Sequence, residues 1–104
     1  MIKVSVLYPS RDGAKFDMSY YLDKHMPLVA EKLGAALKGV EVDAGLGGAA
    51  PGAPAAFVAM CHLSFDSVDA FQQAFGPHAG TISGDIPNYT DIEPVIQISE
   101  VKEL

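Results

Sequence analysis

The stretch AFVAMCHLSF, residues 56–65, alternates between two kinds of side chain and decides the fold. Its odd positions, from Phe57 to Phe65, are apolar and share one face of a strand, because successive side chains of a strand point to opposite sides. The even positions from Val58 to Ser64 hold two apolar and two polar residues. The stretch therefore predicts a central strand whose first face packs on helices and whose second face meets a mixed environment.

The segments before this strand predict a strand, a helix and a second strand. Residues 2–8 alternate as in a strand that ends at Pro9. Asp17 is the predicted N-cap of a helix that runs from Met18 to about Leu37. Its apolar stripe is spaced as in an α-helix and contains Met18, Leu22, Met26, Val29, Leu33, Ala36 and Leu37. LKGVEVDAGLG, residues 37–47, is a weaker strand candidate.

The segments after the central strand predict a second helix and a last strand. Asp66 or Ser67 is placed to cap a helix that stops at Gly76 and Pro77. HAGTISGDIPNYTD, residues 78–91, is predicted to be irregular or a short helix, and IEPVIQISEV, residues 92–101, is the last strand. The order βαββαβ is that of the ferredoxin-like α+β fold, with a four-stranded antiparallel sheet and both helices on one face. At 104 residues we expect a single domain, 1–104.

The sheet face turned away from the helices predicts a partner. Its expected residues are too apolar for water yet too polar for the centre of a monomer: Ser5, Leu7, Val58, Met60, His62, Ser64, Val95, Gln97 and Val101. A second copy laying its own sheet over this face would cover it. We therefore expect a homodimer, a dimeric α/β barrel.

Composition narrows the class of partner. Thirteen acidic against seven basic residues give a net charge of −6, which disfavours nucleic acid and anionic membrane surfaces. No stretch reaches the ~20 apolar residues of a membrane span, and no signal-peptide pattern opens the chain. Cys61 is the only cysteine and lies in an apolar run, so we expect it to fill core space. These features predict a cytoplasmic protein.

The first helix carries a histidine and a proline in the motif His25-x-Pro27. Pro27 falls on the solvent side of the helical wheel, so the helix can bend there while water satisfies the freed carbonyl. His25 lies at the border of the apolar stripe, where a cleft between helix and sheet would open, and its imidazole can exchange a proton near neutral pH. The alternative is a boundary histidine that only bonds a backbone carbonyl freed by Pro27.

Cofactor and metal sites have little support in the sequence. The three histidines lie on separate predicted elements, and no His-x-His or His-Glu-x-x-His step is present, so no metal is expected. Gly45 to Gly48 lack the longer glycine fingerprint and the helix of a phosphate-binding loop. No serine sits in a nucleophile elbow. We expect no cofactor.

Two segments resemble the EthD family. VSVLYPSRDGAKFDMSYYLDKHMPLVAEKLG, residues 4–34, is similar to that family's first half, with a strand ending near Tyr-Pro, an aromatic-Asp pair and a His-x-Pro-Leu step. FQQAFGPHAGTISGDIPNYTDIEPVIQISEV, residues 71–101, is similar to its closing segment. The resemblance covers essentially the whole chain and implies the dimeric α/β-barrel fold. It also implies superfamily relatives that process polyketides or act as monooxygenases, and an association with ethyl tert-butyl ether degradation.

The resemblance also implies site residues. The histidine of His-x-Pro-Leu is His25, the strand-end tyrosine is Tyr8, and the aromatic residue before the final Thr-Asp is Tyr89. These three are the predicted catalytic residues. The predicted substrate-binding residues are the two matched aromatics, two members of the helix stripe and two residues of the second half: Phe16, Tyr21, Met26, Val29, His78 and Asp85.

Roles for the last two residues stay open. His78 is placed either to cap the second helix or to approach the cleft. Asp85 is placed either to pair with Asp91 in acid–base work or to form a turn around Pro87.

Three functions follow as hypotheses. The first is a protein that binds a small apolar or aromatic oxygen-bearing molecule beneath the first helix, as a cofactor-free lyase, isomerase or oxygenase that uses His25 for proton transfer. The second is a non-catalytic carrier or accessory protein of a degradation pathway. The third is a haem-binding monooxygenase with His25 as axial ligand.

Overall fold

Four strands form one antiparallel sheet in the computed structural model, which describes residues 1–104. The strands are β1 (Ile2–Pro9), β2 (Gly39–Ala44), β3 (Phe57–Phe65) and β4 (Val95–Glu100), in the spatial order β2-β3-β1-β4. Each neighbouring pair is antiparallel. This topology confirms the predicted ferredoxin-like α+β fold.

The register confirms the predicted faces of the sheet. Val6 of β1 lies opposite Cys61 of β3 on one side and opposite Ile96 of β4 on the other, so all three share the helix-facing side. The odd-numbered positions of β3 from 59 to 65 are buried, whereas its even positions are partly exposed. The alternation in residues 57–65 therefore reports a real difference between the two faces.

The first helical region, residues 18–33, is interrupted by a wide turn. It consists of α1 (Met18–Tyr20), a π-helical turn (Tyr21–His25) and α2 (Met26–Leu33), followed by a 3₁₀ turn (Gly34–Ala36). Asp17 caps it as predicted, because its carboxylate accepts a hydrogen bond from the Tyr20 N–H. The α-helix ends earlier than the predicted Leu37 because Gly34 has φ +59°, a left-handed conformation that glycine adopts without strain.

The π-helical turn corrects one expectation. The Met26 N–H bonds the carbonyl of Tyr21, five residues back, just before Pro27 leaves the ladder without a donor. The π-helical turn holds more residues than an α-helical turn. Its side chains, from Tyr21 to His25, therefore point in directions that differ from those of a regular α-helix. Leu22, predicted to face the core, is 47% exposed, whereas Tyr21 and His25 point inward and are both buried. Such turns often occur at functional sites.

The second helical region, residues 68–88, follows β3 and turns back over the sheet. It contains α3 (Val68–Phe75), a 3₁₀ turn (Gly76–His78), α4 (Ala79–Asp85) and a last 3₁₀ turn (Ile86–Asn88). Ser67 is the cap of α3, since its hydroxyl accepts from the Ala70 N–H. Residues 79–85 form a short helix, one of the two structures predicted for that segment.

The two helical regions leave part of the sheet uncovered. The buried core lies between the helices and strands β1 and β3. On β4, Ile96 and Ile98 face the helix side but are 59% and 42% exposed. No helix is long and apolar enough to span a membrane.

Candidate functional site

A cavity of about 310 Å³ lies between the helical regions and the sheet. Fourteen of its seventeen lining residues are hydrophobic. It follows β1 from Val4 to Tyr8, a length of roughly 13 Å at the rise of a β-strand. It also reaches Ile96, whose exposure shows that the cavity opens to the surface at the β4 edge. At the roughly 30 Å³ that a molecule of liquid water occupies, this volume holds about ten non-hydrogen atoms.

The polar end of the cavity is formed by Tyr8, Tyr21 and His25, all of which line it. Tyr8 ends strand β1, and the other two are the first and last residues of the π-helical turn. That turn stacks the imidazole of His25 almost parallel to the Tyr21 ring, with ring centroids 5.6 Å apart. The interruption of the helix is thus what brings the imidazole inward.

Both ring nitrogens of His25 have protein partners. Nδ1 lies 2.9 Å from Oδ2 of Asp85, and Nε2 lies 3.4 Å from the hydroxyl oxygen of Tyr89. A carboxylate only accepts hydrogen bonds, so Nδ1 carries a proton and donates it to Asp85. In the neutral ring Nε2 is then the basic nitrogen.

Asp85 is held by three donors. The Tyr20 hydroxyl donates to its Oδ1 at 2.6 Å, the Asn88 side-chain amide donates to Oδ1 at 2.9 Å, and His25 donates to Oδ2. Burial disfavours the carboxylate, but these hydrogen bonds outweigh burial and hold the pKa of Asp85 below its usual value. Asp85 is therefore a carboxylate at neutral pH and fixes the orientation of the imidazole.

The phenols continue the hydrogen-bond chain away from His25. The hydroxyl oxygens of Tyr8 and Tyr89 are 2.7 Å apart. Burial is the main reason that the pKa values of Tyr8, Tyr21 and Tyr89 are raised. All three are neutral phenols at physiological pH, each with one proton to donate.

The other predicted site residues divide into three groups. Met26 and Val29 line the cavity. Phe16, Tyr89 and Asp85 lie behind its wall; Phe16 packs edge-on against both Tyr8 and Tyr89, with centroids 5.1 and 5.5 Å apart. His78 is half-buried in the turn after α3 and does not line the cavity; the C-cap of α3 is Gly76, and the His78 side chain makes no capping hydrogen bond to α4 either.

Sequence reasoning missed two contributors. Cys61 lines the cavity, and burial raises the pKa of its thiol to about 11, so it is an inert wall residue. Tyr20 is the second: its bond to Asp85 joins residues 65 positions apart, and only the aromatic pair Tyr20-Tyr21 in the sequence hints at it.

The opposite face of the sheet carries a separate polar cluster. The Ser5 hydroxyl lies 2.8 Å from Nδ1 of His62, and Nε2 of that ring lies 3.4 Å from Oδ2 of Asp43. The cluster resembles a nucleophile–base–acid set, but its backbone N–H groups belong to strands and form no oxyanion hole. It is thus a polar centre on a face that mixes apolar and polar residues.

Comparison with known proteins gives a family match and solved relatives. Residues 13–93 match the family model described as EthD domain. An EthD-like protein from Ralstonia eutropha JMP134 is 55% identical over 95% of this chain and 89% of that chain, with a TM-score of 0.91. A search of curated proteins returned no match.

Two more distant structures share the fold. An EthD family protein from Bacillus halodurans C-125 is 22% identical over 98% of this chain and 99% of that chain, with a TM-score of 0.68. A protein from Arabidopsis thaliana is 12% identical over 100% of this chain and 98% of that chain, with a TM-score of 0.71.

Proposed function

The chain belongs to the EthD family, and from this premise we propose that it binds a small apolar or aromatic molecule bearing an oxygen and moves a proton on it. The observation that carries this proposal is the Asp85–His25 pair, whose imidazole forms part of the polar end of a hydrocarbon-lined cavity. An imidazole oriented by a carboxylate is the usual arrangement of a general base. Proton abstraction is the step that an imidazole base contributes to isomerase, lyase and cofactor-free oxygenase reactions.

The cavity sets the class of ligand. Its apolar walls favour a hydrocarbon or aromatic body, while Tyr8, Tyr21 and His25 give one end its polar groups and Ser83 adds a hydroxyl from α4. Tyr8 is neutral, and because its proton bonds Tyr89, its oxygen can accept a hydrogen bond from a single ligand hydroxyl. A ligand of about ten non-hydrogen atoms would place that oxygen at Tyr8 and its apolar end toward Ile96.

Deuterium exchange into 2-tetralone tests proton transfer. This bicyclic ketone matches the cavity in size and polarity, and abstraction of a proton beside its carbonyl is visible by NMR in D₂O. We expect the protein to accelerate exchange, His25→Gln to abolish the acceleration, and His78→Gln, a matched control outside the cavity, to leave it intact. Equal acceleration by the wild type and His25→Gln would reject the base.

A carrier or accessory role is the second candidate. It is favoured by the almost wholly hydrocarbon lining, which binds without doing chemistry. The ether for which the family is named has an oxygen that can only accept a hydrogen bond, which the neutral Tyr21 phenol at the polar end of the cavity can supply. Saturable binding of ethyl tert-butyl ether or 2-tetralone without accelerated exchange would favour this role.

Haem binding has no support from the geometry. An axial ligand needs a free imidazole nitrogen, and both nitrogens of His25 face protein partners. The residues around the cavity thus do not fit a haem held by His25, and we do not carry that hypothesis further.

We also propose that the protein is a homodimer in the cytoplasm. The dimer is supported by the sheet face turned away from the helices, here called the open sheet face. On it Met60 and Leu7 are half-buried, and Val95 and Val101 are about half-exposed. Neighbouring apolar side chains left in contact with water in this way are typical of a surface that a partner covers. The location rests on the acidic composition and the single unpaired cysteine.

A further inference from the structure

We propose that His25 exchanges its proton with the ligand through two tyrosines, Tyr89 and then Tyr8, rather than by direct contact. The inference rests on the proposed function of the cavity and specifies which atom meets the ligand. Tyr8 lines the cavity, whereas Tyr89 does not. The basic nitrogen of His25 faces Tyr89.

With a neutral imidazole, the contacts leave only one direction for the chain of protons. Nδ1 of His25 donates to Asp85, so Nε2 accepts, and the proton that it accepts comes from the Tyr89 hydroxyl. Tyr89 has no second proton, so at the 2.7 Å contact Tyr8 must be the donor. The Tyr8 oxygen, which the Tyr21 hydroxyl also approaches, keeps one further lone pair for a hydroxyl in the cavity.

The transfer balances without any co-reactant. The O–H bond of a bound phenol or enol breaks and its proton goes to Tyr8, the Tyr8 proton goes to Tyr89, and the Tyr89 proton goes to Nε2 of His25. The products are the ligand anion and an imidazolium beside the Asp85 carboxylate, while both tyrosines end neutral as they began. The 3.4 Å spacing between Tyr89 and His25 is long and needs to shorten during transfer.

Other titratable groups around the imidazole do not offer a competing path. The groups that face it are Asp85 from α4, Tyr21 within its own turn, and Tyr89 after the last 3₁₀ turn. The Tyr21 ring stacks on the imidazole and presents its face, not its hydroxyl, to the ring. Asp85 is already ionised and holds Nδ1.

The first experiment uses 4-nitrophenol, a phenol of ten non-hydrogen atoms whose anion is yellow. We expect wild-type protein to raise the ionised fraction of the bound probe above that in buffer at the same pH. Tyr89→Phe keeps the shape of the buried ring and leaves the cavity lining unchanged, so binding is retained while the added ionisation is lost. Retained ionisation in a folded Tyr89→Phe protein would overturn the relay.

The second experiment needs no ligand and therefore separates this inference from the proposed function. The ¹⁵N resonance of Nε2 in His25 is recorded for the wild type, Tyr89→Phe and Tyr8→Phe. The relay predicts that Nε2 shifts in both variants, because Tyr8 polarises the hydroxyl that Tyr89 donates. Phe16→Leu, which alters packing around both rings but removes no hydroxyl, should leave it in place. An unmoved Nε2 in folded Tyr8→Phe overturns the relay, whatever the probe does.

Discussion

Replacing Asp85 by asparagine should destabilise the fold and reverse the hydrogen-bond chain of His25. The asparagine oxygen can still accept from Tyr20, but an amide N–H₂ turned to His25 meets the Nδ1–H as donor against donor. The imidazole then relieves the conflict by moving its proton to Nε2. In that tautomer it donates to Tyr89 instead of accepting.

The expected loss of stability follows from the hydrogen bonds of Asp85 that no longer have a charged acceptor. The Asp85 side chain is only 13% exposed, and hydrogen bonds to charged groups contribute about 1.5–3 kcal/mol. We expect Asp85→Asn to lower the free energy of unfolding by about 2 kcal/mol at pH 7, and the melting temperature by roughly 10 °C for a domain of this size. Asp23→Asn, which alters an exposed carboxylate on the first helical region, should change neither.

The pH dependence gives the same variant a second signature. The pKa of Asp85 is lower in the folded state, so its stabilising effect is present above the ordinary aspartate pKa of about 3.9 and is lost as pH falls through the folded value. The difference between wild type and Asp85→Asn in urea unfolding should therefore be large at pH 7 and shrink below pH ~4. A constant difference, or none at pH 7, would refute the assigned role of the carboxylate.

Three other variants or probes test separate parts of the structure. Leu22→Gln should change the free energy of unfolding by no more than about 0.5 kcal/mol in urea melts, because the π-helical turn exposes Leu22. A loss above about 2 kcal/mol would show that Leu22 is buried, as a regular α-helix would have it. Native Cys61 should react with a thiol reagent at pH 8 far more slowly than in urea, because burial raises its pKa to about 11; equal rates would contradict that burial. Met60→Lys on the open sheet face should shift the sedimentation coefficient from dimer to monomer, whereas Val40→Lys on the edge strand should not; a dimeric Met60→Lys protein would place the interface elsewhere.

Much of the fold is predictable because it depends on local periodicity. The alternation in residues 57–65, the caps Asp17 and Ser67, and the order of elements all report which backbone groups and faces need burial or a partner. The helical wheel predicted that Pro27 faces solvent, and Pro27 is exposed in the structure. The same wheel misplaced Leu22, because its rotation of 100° per residue holds only for a regular α-helix. Pro27 is the only feature of the sequence that marks the π-helical turn.

The candidate site is less predictable because its bonds join distant segments. His25 and Asp85 are 60 positions apart, and Tyr8 and Tyr89 are 81 apart. The sequence contains the residue types that form the site. It left two roles open for Asp85, an acid–base role and a turn, and gave no reason to pair Asp85 with His25. Only the packing of α4 against the π-helical turn brings the carboxylate to the imidazole.

The central claim is that the cavity beside His25 is a ligand site, and calorimetric titration with 4-nitrophenol tests it most directly. Val29 is buried and lines the cavity from α2, so Val29→Phe fills the space that a ligand needs without touching the polar end. We expect one probe molecule to bind per wild-type chain and none to bind the folded Val29→Phe protein. Equal binding by the two proteins, or no binding by the wild type, would contradict the claim.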